Sequence, residues 1–218
     1  MAPVPITRYE QLAAQPWKNG QGITRTLCSD SAGIDDGWTW KISIAEISGT
    51  QPYSRYPGVR RGQVALGPGP VDLVVNGRNV LLPVEGTIVF EGEDDVSATP
   101  ASEGFLDLNV MGQRSKWEPS VEIVDSPTAS FRESRIQVLV ALEDSCSIGG
   151  QPLARLDSVF VSSPEEQQFS GRFVLATLAR HEEARRAGMC GTGQRADKTQ
   201  MARIRKECGP SASYSAKG

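Results

Sequence analysis

Short runs in which apolar and polar residues alternate recur along most of the chain. Trp38–Ile44 alternates strictly, which places its two tryptophans and two isoleucines on one face of a predicted strand. Val71–Val75 and Asn79–Leu82 are joined by Asn76-Gly77-Arg78. Because Asn-Gly fits the tight turns that join antiparallel strands, this pair predicts a β-hairpin.

The remaining pattern also favours strands. The chain has 22 glycines and 14 prolines, and these residues separate runs rich in β-branched and aromatic side chains. Further strands are predicted at Thr87–Glu91, Phe105–Val110, Val121–Val124, Ile136–Leu142, Ser158–Val161 and Arg172–Leu178. About ten short strands without a convincing amphipathic helix indicate an all-β sandwich or barrel architecture.

Two segments could form short helices, Tyr9–Gln15 and Glu182–Ala187. The first is the better candidate, because Thr7 followed by Glu10 resembles a capping box and Pro16 would end the helix. Residues 182–218 show no strand period and few apolar residues, so we expect a mobile, disordered C-terminal tail.

Charge is distributed unevenly. Residues 182–218 contain eight Lys and Arg against four Asp and Glu, within a chain of 218 residues whose net charge is −3. The body is therefore acidic, which argues against nucleic acid as its partner. The chain contains no apolar run long enough to span a membrane and no secretory signal at its beginning, so we expect a cytoplasmic protein that does not bind membranes.

The single histidine, His181, excludes a site built from two or three imidazoles within one chain. The four cysteines are widely spaced and include no C-x-x-C pair, so they are expected to be ordinary reduced thiols. No metal or other cofactor is therefore expected.

The segment from Pro16 to Arg25 concentrates glycines, amides and cations: Pro16-Trp-Lys-Asn-Gly-Gln-Gly-Ile-Thr-Arg25. Such a loop can present N–H groups and two cations to a carboxylate. The alternative is a glycine-kinked entry to a strand whose Lys18 and Arg25 face solvent. The spacing alone favours the second interpretation.

Two predicted strands carry acidic residues whose role depends on the face of the strand that they occupy. Glu46 falls on the apolar face of its strand, either at the rim or pointing inward with a partner. Phe105, Asp107 and Asn109 share one face of the next candidate, which suits a ligand-lined barrel interior as well as a solvated outer face.

Five motifs occur in an order and spacing that resemble the HutD/Ves family. They are Trp17-Lys-Asn-Gly-Gln-Gly-Ile-Thr-Arg25, Trp40-Lys-Ile-Ser-Ile-Ala-Glu46, Tyr53-Ser-Arg-Tyr-Pro-Gly58 with Arg61, Phe90-Glu-Gly92 and Asp107-Leu-Asn-Val-Met111. The likeness extends to about Ala179. Arg60 departs from the pattern, since many relatives have an acidic residue there.

The resemblance implies a bicupin of the RmlC-like cupin type: two small antiparallel barrels without the metal-binding histidines of enzymatic cupins. The first barrel would cover about residues 15–115 and the second about 116–180, followed by the tail. By position, the implied pocket residues are Lys18, Asn19, Arg25, Ser43, Glu46, Ser54, Arg61, Asp107 and Asn109.

Three functions remain open. The resemblance implies binding of a small anionic metabolite, a formylated or carboxylated amino-acid derivative, in bacterial histidine utilisation or stress response, with Arg25 or Arg61 as the clamp. The alternative is a metal-free isomerase or hydrolase with Glu46 or Asp107 as general base. The third is a regulatory or assembly role through the outer face, where a homodimer is the partner to test.

Overall fold

The fold is built almost entirely from antiparallel strands. A computed structural model of the chain describes residues 4–17, 20–30 and 37–181. In the first part the strands are β1 (Gln15–Pro16), β2 (Gly22–Ser29), β3 (Trp40–Ile47), β4 (Gln51–Pro52), β5 (Val59–Gly67), β6 (Val71–Val75), β7 (Arg78–Leu82), β8 (Thr87–Glu91), β9 (Val96–Pro100) and β10 (Phe105–Gln113). In the second they are β11 (Trp117–Asp125), β12 (Thr128–Ala129), β13 (Arg135–Ala141), β14 (Ser147–Ile148), β15 (Gln151–Pro152), β16 (Ser158–Phe160), β17 (Gln167–Ser170) and β18 (Arg172–Arg180).

Each part of the chain forms two facing sheets. In the first barrel, a six-stranded sheet in the order β1-β2-β3-β10-β5-β8 faces a four-stranded sheet in the order β4-β9-β6-β7. In the second barrel, the two sheets run β11-β18-β13-β16 and β12-β17-β14-β15. The all-β, two-barrel prediction is confirmed.

Three apolar clusters fill this architecture. One lies inside the first barrel and includes Ile47, Leu73 and Phe105, and another lies inside the second and includes Leu139 and Phe173. The largest contains residues of both barrels and packs the six-stranded sheet against the sheet of β11, β13, β16 and β18. The central strands of the six-stranded sheet are therefore buried on both faces, one toward the barrel interior and the other toward this shared core.

The predicted hairpin is present. Val75 pairs with Arg78 across Asn76 and Gly77, whose φ angles of 50° and 78° lie in the left-handed region. Asn and Gly adopt this region more readily than other residues, and the two-residue turn fixes the register of β6 and β7.

The helix predicted at Tyr9–Gln15 is wrong beyond its first turn. The structure has a 3₁₀ turn at Tyr9–Gln11, whose N-cap residue is Arg8, and the Arg8 side chain makes no capping hydrogen bond. The reason is a tertiary contact, since the Thr7 and Ser158 backbones pair and the Tyr9 N–H donates to Asp157 at 3.0 Å. These bonds fix the start of the segment on the second barrel, and the pairing of Gln15 and Pro16 with β2 holds its end extended.

The second predicted helix, Glu182–Ala187, and the predicted tail lie outside the described residues. Within the part of the chain that is described, no helix has the length and apolar composition needed to cross a bilayer.

Candidate functional site

The interior of the first barrel holds a group of polar side chains brought together by strand register. Asn109 on β10 lies opposite Ser43 on β3 and Gln63 on β5, while Asp107 and Arg61 lie two residue pairs away in opposite directions. We call this group, completed by Tyr53 from the loop after β4, the polar hollow. Its members are 0–7% exposed: Ser43, Tyr53, Arg61, Gln63, Asp107 and Asn109.

A continuous hydrogen-bond network joins five of these side chains. Arg61 Nε donates to Asn109 Oδ1 at 2.7 Å, and Asn109 Nδ2 donates to Asp107 Oδ1 at 2.7 Å. Asp107 Oδ2 accepts from the Tyr53 hydroxyl at 2.8 Å and from Gln63 Nε2 at 2.7 Å. Gln63 Nε2 also lies 2.7 Å from the Tyr53 oxygen. A buried network of this kind holds its members in fixed orientations.

Arg61 is held on aromatic surfaces rather than by a carboxylate. Its guanidinium carbon lies 4.5 Å from the ring centre of Tyr53 and 5.3 Å from that of Phe90. Such cation–π contacts position the guanidinium without neutralising its charge. Among the described residues, Arg61 forms no ion pair, and its one side-chain hydrogen bond is the bond from Nε to Asn109.

Burial shifts the pKa values of ionisable side chains in and beside the polar hollow. It raises the pKa of the Asp107 carboxyl, against the opposing effects of Arg61 and the hydrogen bonds from Tyr53 and Asn109. Burial, followed by the charge of Asp107, raises the pKa of Tyr53 well above its ordinary value. Burial also lowers the pKa of Lys41, which lies opposite Met111 at the Arg61 end of the hollow.

The structure brings together four of the nine predicted site residues: Ser43, Arg61, Asp107 and Asn109. Ser54 is exposed, next to Tyr53. Lys18 and Asn19 lie outside the described residues.

The grouping of Arg25 and Glu46 with Arg61 in one pocket does not match the structure. Arg25 pairs in register with Ile44, whose side chain belongs to the shared core, and Glu46 lies on the same face. Arg25 donates to the Tyr9 hydroxyl at 3.2 Å, and its guanidinium carbon lies 5.0 Å from the centre of that ring. Alternation along β2 and β3 thus directs both side chains away from the hollow, toward the N-terminal segment.

Sequence reasoning did not select Tyr53, Gln63 or Lys41. Tyr53 and Lys41 belong to quoted motifs, but a tyrosine in a loop and a lysine in a strand are typical of solvated positions. Gln63 could have been found from Arg61, because residues two apart on a strand face the same way.

The glycine-rich loop supports one end of the first barrel. Trp17 Nε1 donates to Thr24 Oγ1 at 2.8 Å, and the indole packs against the apolar cluster inside the barrel. A Cβ at Gly22 would lie 2.7 Å from the Glu46 carbonyl oxygen and 3.0 Å from the Trp17 ring. Glycine at position 22 is therefore what permits the indole to lie against the strand.

The second barrel differs in its interior. The cluster inside it consists of aliphatic and aromatic side chains with one cysteine, including Ile148, Val159 and Phe169. Its buried polar side chains are not joined to one another by side-chain hydrogen bonds among the described residues: Asp157, Ser158, Gln167 and Thr177. The chemistry of the described chain is thus concentrated in the first barrel.

Metal ligands are not grouped in this fold. Across residues 4–17, 20–30 and 37–181, no three His, Cys, Asp or Glu side chains come together as a metal site would require. His181 lies at the end of β18, with its backbone N–H bonded to the Lys116 carbonyl.

Two antiparallel barrels packed on a shared core, one of them with a polar interior, define a cupin-type double barrel. A Cupin 2 conserved barrel domain protein from Leptotrichia buccalis has a similar fold, with a TM-score of 0.51 at 6% identity over 82% of this chain and 97% of that one. The HutD family model matches residues 9–176, and the chain belongs to the HutD family.

Individual relatives agree with this assignment. HutD from Pseudomonas fluorescens SBW25, solved in a formate condition, superposes with a TM-score of 0.72 at 22% identity, covering 82% of this chain and 100% of that one. An uncharacterised 21.2 kDa protein in the hutC 3′ region of Pseudomonas putida is 26% identical over 82% of this chain and 98% of its own length. Protein Ves of Citrobacter koseri is 34% identical over 63% of this chain and 72% of its own length.

Proposed function

We propose that the chain binds a small carboxylate metabolite in the polar hollow, with Arg61 as the clamp and Asn109 fixing its orientation. The observation that supports this proposal is the buried guanidinium of Arg61, 7% exposed and without an ion pair among the described residues. Asp107 is linked to this charge only through Asn109, and a buried charge without a contacting counterion is unfavourable, so we expect an anion to complete the site.

The geometry favours Arg61 over Arg25 as the clamp. Asn109 occupies Arg61 Nε, which leaves the two terminal nitrogens for a ligand. Two parallel N–H donors match the two oxygens of a carboxylate. Hydrogen bonds to charged groups contribute about 1.5–3 kcal/mol, so a micromolar complex, near −8 kcal/mol, also needs apolar contacts such as those Phe90 and Tyr53 offer.

The relatives suggest the biological setting. One lies in the hutC 3′ region of its organism and another is named HutD, so we place this chain in an accessory or regulatory role in histidine utilisation, with stress response as the second setting. The ligand class is then a formylated or carboxylated amino-acid derivative.

Calorimetry with N-formylglutamate, urocanate and formate tests the proposal. We expect binding of at least one, weakened at least thirtyfold by Arg61→Met, because removing one partner of a buried charge pair costs about 2–5 kcal/mol. An absence of heat with all three ligands at high protein concentration would eliminate the ligand class.

Arg60 provides a matched control. It precedes Arg61 on β5 but is directed outward, where it donates to Glu91 at 2.6 Å and to Glu118 at 2.7 Å. Arg60→Met removes the same charge from the opposite face of the strand and is expected to leave affinity within about twofold. An equal loss of affinity in both variants would contradict a specific role for Arg61.

Catalysis by a carboxylate base is the second candidate, favoured by the raised pKa of Asp107 in a buried site. A raised pKa brings a carboxylate closer to the range in which it can exchange protons near neutral pH. Turnover of the same compounds in the presence of chelator, lost in Asp107→Asn, would support an enzyme. Binding without turnover would support the first proposal.

A further inference from the structure

Gln63 has one acceptor that the fold leaves unused. Its side chain is 0% exposed, and its amide nitrogen contacts both the Tyr53 hydroxyl and Asp107. Its amide oxygen, Oε1, is buried and has no hydrogen-bond partner among the described residues. Leaving a buried acceptor without a donor is unfavourable, so the position of Oε1 calls for an explanation.

The orientation of the Gln63 amide follows from the network that begins at Arg61. Arginine offers donors alone, so Asn109 turns its oxygen toward Arg61 and its nitrogen toward Asp107. Tyr53 donates its single proton to Asp107, so the Tyr53 oxygen is left to accept from Gln63. The amide nitrogen therefore occupies this position, and Oε1 is directed away from the network.

Gln63 and Arg61 lie close enough to serve one small ligand. They are two residues apart on β5 and share the interior face, so their backbone positions are about 7 Å apart along the strand. Arg61 presents donors and Gln63 Oε1 presents an acceptor. A ligand matched to both has an anionic oxygen and, a few bonds away, a hydrogen-bond donor.

We infer that Gln63 is a specificity-determining residue: its Oε1 accepts a hydrogen bond from an uncharged N–H of the carboxylate held by Arg61. This inference rests on the proposed function and adds a requirement to it. The neighbouring cations Arg61 and Lys41 disfavour a charged ammonium. Asp107 does not offset them, because both of its oxygens already accept hydrogen bonds within the network, so an acylated nitrogen is the matching donor. A site with a committed acceptor discriminates strongly against analogues without the donor, because the acceptor is then left unpaired.

A matched pair of probes tests this requirement: N-formylglutamate and freshly prepared 2-formyloxyglutarate, in which an ester oxygen replaces the N–H. We expect the wild-type protein to bind the amide at least tenfold more tightly than the ester. In Gln63→Met, which keeps the length of the side chain without an acceptor oxygen, we expect the preference to fall below about threefold. Gln63→Asn, which withdraws the acceptor by one methylene, provides a second variant should Gln63→Met not fold.

Arg60→Met serves as the control, because it changes the outward face of β5 and leaves the Gln63 network intact, and it should retain the preference for the amide. Equal binding of both probes by the wild-type protein, or an unchanged preference in both Gln63 variants, would overturn the role of Gln63 and leave the carboxylate site standing. Binding of neither probe, nor of urocanate or formate, would overturn the proposed function and this inference together.

Discussion

At the scale of single residues, the direction in which a side chain points determines what it can contact, as Arg60 and Arg61 show. The two arginines are adjacent on β5, yet Arg60 donates hydrogen bonds to Glu91 and Glu118 at the surface while Arg61 lies against the rings of Tyr53 and Phe90. Arg60, which stands where many relatives have an acidic residue, therefore does not contact the polar hollow directly. The side chain available to an anion is Arg61, which no carboxylate contacts among the described residues.

Asp107 gives a pH-dependent prediction. Because burial raises its pKa in the folded state, the native protein retains this proton at pH values where the unfolded chain has lost it. The stabilisation from this group is full below the unfolded pKa of about 4 and is lost as pH rises through the folded pKa. Denaturant unfolding of the wild type and of Asp107→Asn from pH 4 to pH 8 measures this contribution.

We expect the unfolding free energy of the wild type, relative to that of Asp107→Asn, to decrease as pH rises across this window. Surface ion pairs titrate alike in both proteins and cancel in the difference. A difference that stays constant or increases with pH would contradict a raised pKa at Asp107.

Among the elements, the start of β2 requires a glycine at position 22. Gly22→Ala would force the new methyl group against the Glu46 carbonyl and the Trp17 ring. Backbone cannot yield as a flexible side chain does, so we expect a loss of about 1–3 kcal/mol in the free energy of unfolding. Gly37→Ala is the control, since a Cβ there meets nothing within 4 Å. Equal stability of the two variants would contradict this account.

The sequence predicts elements well where one face of a strand is solvated. Val71–Val75 alternates buried and exposed residues, and its predicted bounds are those observed. Val59–Gly67 is not among the strands that the sequence predicts, because two arginines and a glycine interrupt its apolar pattern. The structure buries nearly all of this strand, so alternation gives no signal of its limits.

The same ambiguity limits what could be predicted of the site. Asp107 and Asn109 were on one face by parity, but parity alone did not distinguish the barrel interior from solvent. The family resemblance favoured the interior, and the structure places both there at 0% and 2% exposure. Arg25 shows the converse, since its parity relative to Ser43 depends on how β2 pairs with β3, which the loop sequence does not specify.

At the scale of the whole molecule, the shared core predicts one cooperative unfolding transition. Leu108 of β10 and Ile136 of β13 are both buried in it, at 0% and 1% exposure. Leu108→Ala and Ile136→Ala should each lower the free energy of unfolding by about 2–5 kcal/mol. Tryptophan fluorescence and circular dichroism should give coincident transitions in both variants. Two separate transitions, with one displaced, would show that the barrels unfold independently.

The unlike interiors of the two barrels have a consequence for altering ligand preference. In the second barrel, exchanges such as Leu139→Ile or Val159→Ile alter how tightly the molecule is packed but introduce no new polar group. In the first, a change of one atom at Gln63 or Asn109 alters which hydrogen bonds a guest can form. Selection for new recognition would therefore concentrate in a few inward positions of β3, β5 and β10, with the second barrel as an unchanging support.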